Sequence, residues 1–220
     1  ESATGADIEA ARKLLIDRGA AEGFTGSNLY SAWYQRGDIV EFKGVPMPEV
    51  TDIRYAFARQ TALVTFPAMS FPALTLAGNA FQNNASMNDF GAIQAPLCTN
   101  FAYAWQNCSS LQSFPAGAKL GTEATNVNFS SAWRSSGLTS FPNLDLSNGN
   151  NFREAFQSCT ALTTIEDGIL LGTASSSVDF TSAFKACTAL TTLPVNLDLS
   201  KGDDFQTAFQ NCQSLVNFPA

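Results

Sequence analysis

The chain repeats one pattern along most of its length, and this repeat constrains the fold more than any other feature. The pattern reads Phe-x-x-Ala-Phe/Trp-x-x-Cys-x-x-Leu-x-x-Phe-Pro, with its clearest copies beginning at Phe101, Phe152, Phe180 and Phe205. We call each copy a rung and name it by its marker, the aromatic residue after the alanine: Trp33, Phe57, Phe81, Trp105, Trp133, Phe156, Phe184 and Phe209. Successive markers lie 24, 24, 24, 28, 23, 28 and 25 residues apart. Such a period predicts a solenoid in which every rung buries its apolar side against its neighbours.

Each rung is predicted to begin with a short helix. An Asn or Asp stands before the first apolar position in every rung except that of Phe81, which has Leu76: Asn28, Asp52, Asn100, Asn128, Asn151, Asp179 and Asp204. Asn and Asp favour helix N-caps, because the side-chain oxygen accepts hydrogen bonds from free N–H groups of the first turn. The apolar residues that follow recur at i, i+3, i+4 and i+7, which is one helical face. We therefore expect a capped helix of about two turns.

A short strand is predicted to follow the helix. It has the form Leu-x-x-Phe, Leu-x-x-Ile or Leu-x-x-Leu with β-branched residues between, as in residues 162–165. Proline follows in five of the eight rungs and should end the strand, because it cannot donate to a β-ladder. The return leg is Leu-x-Leu followed by a turn. The additional residues of the two 28-residue steps fall in this leg, at 116–128 and 166–179, so these loops should bulge from one edge.

The chain divides into an N-terminal segment and the repeat region. Residues 4–19 begin with a capping box and carry apolar residues at helical spacing. We predict a capping helix and linker over 1–27, which cover the first rung, and the solenoid over 28–220. Because the chain begins at Glu1 without Met, we expect a segment of a longer protein, with further rungs or a docking partner beyond its last rung.

Composition argues against several classes of function. The 220 residues are 45% hydrophobic and 14% charged, which is enough apolar material for a sizeable core. The net charge is −7 and no basic stripe is present, so we predict neither nucleic-acid binding nor attachment to acidic membranes. No apolar run approaches the roughly 20 residues of a membrane helix, so we expect no membrane insertion.

The five cysteines are predicted to be free thiols. Four of them, Cys108, Cys159, Cys187 and Cys212, share one repeat position, which Arg36, Gln60, Asn84 and Ser136 occupy in the other rungs. A position that accepts such residues is expected to be a small, half-buried polar slot. Disulfides between neighbouring rungs and a zinc site are the alternatives. Zinc is disfavoured because the chain has no histidine and no Cys-x-x-Cys pair.

The sequence predicts no catalytic site, no metal site and no cofactor. Without histidine, Ser-His-Asp and Cys-His arrangements are excluded, and Gly-rich nucleotide-binding patterns are absent. The acidic pairs at 166–167 and 203–204 fall in predicted turns or at a cap, where solvation accounts for them, with a glycosidase pair as the minor alternative. The segments 145–151 and 198–204 resemble calcium loops in their alternating oxygen side chains but lack the closing glutamate. We therefore predict that the protein is not an enzyme.

The two residues between the apolar ends of each predicted strand form the candidate ligand-binding stripe. Packed helices lie about 8–10 Å apart and parallel strands about 4.8 Å apart, so a rung with both should curve, with its strands on the concave side. We expect the paired residues to project there over about 35–40 Å. Hydroxyls and amides suit sugar or peptide recognition, although Thr and Ser are also favoured at any exposed strand position. The candidate residues are Thr65, Ser113, Thr139, Ser140, Thr163, Thr164, Thr191, Thr192 and Asn217.

The repeat resembles the BspA-like, Treponema-type leucine-rich repeats of bacterial surface proteins. The resemblance covers residues 28–220 and is carried by the string Ala-Phe-x-x-Cys-x-x-Leu-x-x-Phe/Ile-Pro. Particular copies, such as FSSAWRSSGLTSFP, AWQNCSSLQSFP and DLSNGNNF, are still more similar to repeats in tail-fibre and other structural proteins of marine bacteriophages. The resemblance implies a curved α/β leucine-rich-repeat-like solenoid that serves in surface adhesion and recognition without catalysis in the repeat.

Together, the repeat and the resemblance predict a non-enzymatic recognition module on a virion surface. The expected partner is a host cell-surface polysaccharide or protein, bound through the stripe. Further copies of the chain, or neighbouring virion or surface subunits, are additional candidate partners. The alternatives are a purely structural spacer or decoration element of a virion, and an adhesin on an extracellular bacterial surface.

Overall fold

A computed structural model describes residues 26–42 and 44–218 of the chain. Within these residues the protein forms a parallel β-solenoid, in which every strand pairing is parallel and joins one rung to the next. The prediction of a solenoid is therefore confirmed. The predicted capping helix over 4–19 lies outside the described residues.

The strands are short, with two or three residues each. In chain order they are β1 Thr65–Phe66, β2 Met69–Ser70, β3 Asp89–Phe90, β4 Ile93–Ala95, β5 Lys119–Leu120, β6 Val127–Asn128, β7 Ser140–Phe141, β8 Asp145–Leu146, β9 Gly149–Asn151, β10 Thr164–Ile165, β11 Leu170–Leu171, β12 Val178–Asp179 and β13 Gly202–Asp204. Strands this short gain their stability from stacking in ladders, because an isolated pair is at best marginal in water.

Three ladders run along the solenoid. The cap ladder contains β6, β9, β12 and β13, and single bridges extend it through Asn28, Asp52, Leu76 and Asn100. The stripe ladder contains the pairs β1–β3 and β7–β10, with further bridges from Glu41 to Thr65 and from Thr192 to Asn217. The return ladder contains β2–β4–β5 and β8–β11. The predicted strand and return leg thus lie on two separate sides of each rung.

The fourth side of each rung is a series of turns. The prediction of a helix in this segment is therefore wrong. The N–H of Ala32 donates to the carbonyl oxygen of Leu29 in the same rung. The N–H of Trp33, by contrast, donates across 2.9 Å to Ala56 in the next rung. This alternation recurs along the solenoid, whereas an α-helix directs its N–H groups to carbonyls four residues earlier in the same segment. The described residues contain no helix.

Two left-handed residues in every rung produce this alternation. They stand three and seven positions after the Asx position and none is glycine: Ser31, Gln35, Tyr55, Arg59, Asn79, Asn83, Tyr103, Asn107, Ser131, Ser135, Glu154, Ser158, Ser182, Ala186, Thr207 and Asn211. Their φ angles lie between 52° and 64°. A left-handed conformation costs an L-residue roughly 1–2 kcal/mol, so the stacking of rungs must offset this cost at each position.

The predicted Asx capping bond forms, but it begins a turn. Asn100 Oδ1 accepts a hydrogen bond from the N–H of Ala102 at 2.9 Å. Corresponding bonds are made by Asn28, Asp52, Asn128, Asn151, Asp179 and Asp204. The side-chain oxygen therefore starts the turn segment in the way that it would start a helix.

The reason for predicting a concave strand side also does not apply to this fold. On the turn side, neighbouring rungs are joined by backbone hydrogen bonds of 2.8–3.3 Å, so they lie at the spacing of paired strands there too. The helix spacing of about 8–10 Å, which was the reason to expect a concave strand side, does not apply. The stripe is one side of a β-solenoid, and the helix-and-strand form of a leucine-rich repeat is not present in the described residues.

Columns of stacked aromatic rings fill the interior. The column of markers runs from Trp33 to Phe209, with ring centroids 4.8–6.0 Å apart and ring planes within 14° of one another. A second column contains Phe42, Phe66, Phe90, Phe114 and Phe141. A third contains Phe101, Phe129, Phe152, Phe180 and Phe205. Because each ring packs on its neighbours in the rungs before and after it, the columns hold the rungs in register.

Candidate functional site

The stripe ladder places the predicted site residues on one side of the solenoid in two rows. The first row holds the residues directly after the leucine: Thr139, Thr163 and Thr191. The second row holds the residues before the next apolar position: Thr65, Ser113, Ser140, Thr164, Thr192 and Asn217. All are exposed except Thr65 and Ser140, which are half-buried. In the ladder, Thr164 pairs with Ser140 and Thr192 with Asn217, so residues of the second row stand side by side in these two pairs of adjacent rungs.

The hydroxyls of the first row are used within the ladder. Thr163 Oγ1 donates to the carbonyl oxygen of Thr139 at 2.8 Å, and Thr191 Oγ1 donates to Thr163 at 3.3 Å. Thr139 Oγ1 donates to Gln112 at 3.1 Å. The described residues offer no such partner to the hydroxyls of Thr164 and Thr192. Of the two rows, a ligand would therefore meet free hydroxyl donors only in the second. The sequence pattern does not reveal this difference between the rows.

A cleft lies at the end of the stripe that is formed by the last rungs. Its volume is about 500 Å³, and three rungs line it: Thr164, Ile165, Glu166, Asp167, Thr192, Leu193, Val195, Asn217 and Phe218. The cleft thus combines three residues of the second row with two carboxylates. Val195 is 70% exposed and Phe218 is 63% exposed, so the cleft also presents apolar surface to a ligand.

Both carboxylates in this cleft are held by backbone N–H groups of neighbouring rungs. Glu166 occupies the place of the proline, and its Oε2 accepts from the N–H of Asn143 at 3.0 Å. Asp167 Oδ1 accepts from the N–H of Val195 at 2.9 Å. Each carboxylate keeps a second oxygen without a hydrogen-bond partner among the described residues. The cleft therefore presents fixed acceptors beside the hydroxyls of the second row.

Sequence reasoning missed an aromatic and cationic surface on the turn side. All four tyrosines of the chain lie there: Tyr30, Tyr34, Tyr55 and Tyr103. Tyr55 contacts Tyr30 and Tyr34 edge to face, with centroids 5.7 and 6.3 Å apart. The guanidinium of Arg54 lies over Tyr30, and that of Arg59 lies over Tyr34. We call Tyr30, Tyr34, Arg54, Tyr55 and Arg59 the tyrosine–arginine patch.

A signal for this patch was present in the sequence. Every tyrosine stands two, three or six positions after the Asx position, in places that the core pattern leaves outward. Tyr30 and Tyr55 are 25 residues apart, however, and only the stacking of their rungs brings the two rings together. The sequence therefore marks the tyrosines as outward but does not show that they form one cluster.

Four of the cysteines occupy the predicted polar slot, and all five are free thiols. Cys98 lies outside this slot, and its thiol contacts the carbonyl oxygens of Thr75 and Asn100. The four thiols in the slot each donate to the carbonyl oxygen of a marker in the preceding rung, as Cys159 does to Trp133 at 3.0 Å. Cys108, Cys187 and Cys212 make the corresponding bond. Burial raises the pKa of Cys108 to about 12 and that of Cys159 to about 11. These thiols are therefore protonated near neutral pH and are poor nucleophiles.

The described residues contain no cluster of three or more His, Cys, Asp or Glu side chains placed to hold a metal ion. They also contain no helix that is long and apolar enough to cross a membrane. Fold and surface together define the described part of the chain as a parallel β-solenoid with one hydroxyl-bearing side and one aromatic side. Comparison with family models, with curated proteins and with solved structures finds no match.

Proposed function

We propose that the protein is a non-enzymatic recognition module that binds a glycan or a protein on the surface of a host cell. Binding would occur through the second row of the stripe and the cleft at its end. The single observation that carries this proposal is the composition of the cleft. It joins the free hydroxyls of Thr164 and Thr192, two positioned carboxylates and the exposed ring of Phe218.

This combination suits a ligand with both apolar and hydroxylated surfaces. The ring of Phe218 offers an apolar contact for the C–H face of a sugar or for a peptide side chain. The free oxygens of Glu166 and Asp167 accept hydrogen bonds from ligand hydroxyl or amine groups. Ligand pockets generally have this form, an apolar lining with a few placed polar groups that determine orientation.

The scaffold supports binding because its side chains and backbone lose little conformational entropy when a ligand associates. Thr164 and Thr192 are short side chains on backbone that is held in a ladder, so few rotamers are lost when a ligand binds. The carboxylates of Glu166 and Asp167 are already positioned by backbone N–H groups. A preformed surface of this kind favours recognition without conformational change.

The resemblance to BspA-like repeats and to bacteriophage structural repeats supports a place on a virion surface, in a tail fibre or another exposed structural protein. A bacterial cell surface is the alternative location, and there the same stripe would serve an adhesin. In both settings the partner is a molecule of another cell, and the chemistry of the cleft is the same.

The experiment is binding of fluorescently labelled protein to a panel of candidate host cells. The test variant is Thr164→Arg/Thr192→Arg, which places bulk and charge in the cleft. The control is Ser176→Arg, an exposed position outside the cleft. We expect saturable binding by the wild type and the control, and loss of binding by the double variant. Equal binding by all three proteins would contradict the assigned surface.

A structural spacer is the second candidate function, and the continuous ladders and aromatic columns favour it. The cap ladder joins the Asx positions from Asn28 to Asp204, and the marker column runs beside it. Such a rod is stiff, because every rung is bonded to the next on several sides. Absence of cell binding by all three proteins, each shown to be folded by circular dichroism, would favour this function.

A further inference from the structure

The turn side of the first four rungs carries a surface that the stripe does not explain. The ring of Tyr55 contacts those of Tyr30 and Tyr34, and a guanidinium group lies over each of the latter two rings. We propose that this tyrosine–arginine patch is a second binding surface, which takes a polysaccharide whose sugars carry carboxylate groups. The proposal does not depend on the function assigned to the cleft.

One guanidinium in the patch is available to an anion. Arg59 lies 5.9 Å from the ring centroid of Tyr34 and makes no ion pair with a carboxylate among the described residues. Arg54 differs, because it binds Asp52 through two of its nitrogens, with the shortest distance 2.7 Å. A guanidinium stacked on a ring keeps its N–H edge free, and that edge matches a carboxylate in bidentate geometry. Arg59 is therefore the expected anchor for the acid group.

Rows of amide side chains continue the patch along the same side. Asn107 Nδ2 donates to Asn83 Oδ1 at 2.8 Å, and Gln82 donates to Gln106 in the same pair of rungs. These bonds orient the amides and leave further donors and acceptors for sugar hydroxyls. Tyr103, which is 39% exposed, lies on the fourth rung. The surface thus extends over three rung steps, or about 14 Å.

The geometry favours a polysaccharide over a peptide. The backbone N–H groups of the patch are already used, that of Tyr55 by Gly78 and that of Arg59 by Gln82. Among the described residues, the patch therefore offers an extended peptide no free N–H groups with which to pair as an added strand. The side chains instead recur at the rung spacing, and a chain of repeating sugar units is periodic as well.

The charge balance is compatible with an acidic ligand but argues against nucleic acid. Asp38 and Asp52 are paired with Arg36 and Arg54, so among the described residues the charge of Arg59 is the one left unbalanced in this patch. At physiological salt the Debye length is about 8 Å, so the net charge of −7 acts weakly beyond the patch itself. Nucleic acid would need several cations to neutralise successive phosphates, and the patch offers one.

The experiment measures binding of the 220-residue protein to polygalacturonate, with neutral dextran and poly-L-glutamate as the other probes. The test variant is Arg59→Gln. Its matched control is Arg153→Gln, which removes the same charge from the turn side at a position far along the solenoid. We expect the Kd for polygalacturonate to rise about tenfold or more in Arg59→Gln and to stay unchanged in Arg153→Gln. Dextran and poly-L-glutamate are expected to bind at least about tenfold more weakly than polygalacturonate.

A second variant, Tyr34→Ser, removes the ring beneath the guanidinium and should weaken binding without any change in charge. Thermal unfolding monitors the folding of each variant. Equal affinity of wild type and Arg59→Gln would overturn the proposal, as would poly-L-glutamate that binds as tightly as polygalacturonate. The variant Thr164→Ala/Thr192→Ala should leave polygalacturonate binding unchanged. The proposal for the cleft and the proposal for the patch are therefore tested separately.

Discussion

The side-chain amide of Asn84 donates to the carbonyl oxygen of Phe57, 27 residues earlier in the chain, across 2.9 Å. Its Oδ1 accepts from the N–H of Gln60 at 2.8 Å. In the next rung the thiol of Cys108 makes the corresponding bond to Phe81, at 3.2 Å. One repeat position therefore links a rung to the preceding one inside the core, whether an amide or a thiol occupies it. The link is made by Gln60, Asn84, Cys108, Cys159, Cys187 and Cys212.

We predict that Asn84→Ala lowers the free energy of unfolding by about 1–3 kcal/mol. The change removes both hydrogen bonds and leaves the buried N–H of Gln60 and the carbonyl of Phe57 without partners. Urea unfolding checks the prediction. The control is Asn88→Ala, an exposed position whose side chain makes no hydrogen bond within the described residues. A loss in Asn84→Ala no larger than in the control would contradict the proposed link.

We predict that Phe156→Ala lowers the free energy of unfolding by about 3–5 kcal/mol. Its ring is buried between those of Trp133 and Phe184, with centroids 5.1 and 5.2 Å away, so its removal opens a cavity in the marker column. Asn151→Ala should cost only about 1 kcal/mol, because it removes one capping bond. Chemical denaturation of both variants measures the difference. Small and similar losses in the two would be inconsistent with stacked rungs.

We predict that Ala186→Gly raises the free energy of unfolding by about 0.5–1 kcal/mol. Ala186 has a φ of 59°, and glycine removes a left-handed cost of roughly 1–2 kcal/mol while losing about 0.5–1 kcal/mol of chain entropy. In a helix interior the same substitution would cost about 1 kcal/mol, so the sign of the effect separates turns from helix. Ala183→Gly, at a buried position without positive φ, is the control and should be destabilising. Urea unfolding of the two variants provides the measurement.

We predict that stability falls as the pH rises above about 9. Burial raises the pKa of Cys108 from 9.0 to about 12 and that of Cys159 to about 11. The unfolded chain therefore releases these protons at a lower pH than the folded chain does. The stability that they contribute is fully present below pH 9 and is lost as the pH rises toward 11–12.

Urea unfolding at pH 8 and pH 10.5 measures this loss, with Cys108→Ala/Cys159→Ala as the comparison. The double variant has a lower stability at pH 8 but should lose less between the two pH values, since two of the titrating groups are gone. Identical losses in wild type and double variant would show that other groups control the pH dependence. Alkylation at pH 8 gives a second readout, in which half-buried Cys212 should react before the four buried thiols.

Much of the fold was predictable because the repeat constrains it many times over. The recurrence of the markers predicted stacked rungs, and the inward positions such as Leu162 and Ile165 are buried as expected. The Asx positions make the predicted bond to the second following N–H, for example from Asn151 to Arg153. Each of these features depends on residues close together in sequence or on the identity of one repeat position.

The helix was predicted wrongly because two conformations share one pattern. In the Phe156 rung, four side chains point inward from a chain of turns: Phe152, Ala155, Phe156 and Cys159. The left-handed residues of these turns are Glu154 and Ser158. The same four spacings describe one face of a helix. Nothing in the local sequence marks the left-handed positions, since Glu and Ser are not residues that favour positive φ.

The surface sites were predictable only in part, for a related reason. The outward direction of Thr163 and Thr164 follows from the alternation along the strand. The hydroxyl of Thr163 donates to Thr139, whereas that of Thr164 has no such partner. This difference depends on the neighbouring rung and not on the strand itself. The contact between Tyr30 and Tyr55 depends on the neighbouring rung as well.

The sequence by itself determined the period of the solenoid, the residues that face inward and the positions of the Asx caps, because all three follow from which side chains recur and how far apart. Only the tertiary structure decided where the backbone N–H groups bond. A segment such as 29–36 forms turns because the carbonyls of the next rung accept every second N–H, as Ala56 does from Trp33. That choice depends on a neighbour at strand distance, which exists only once the rungs have stacked.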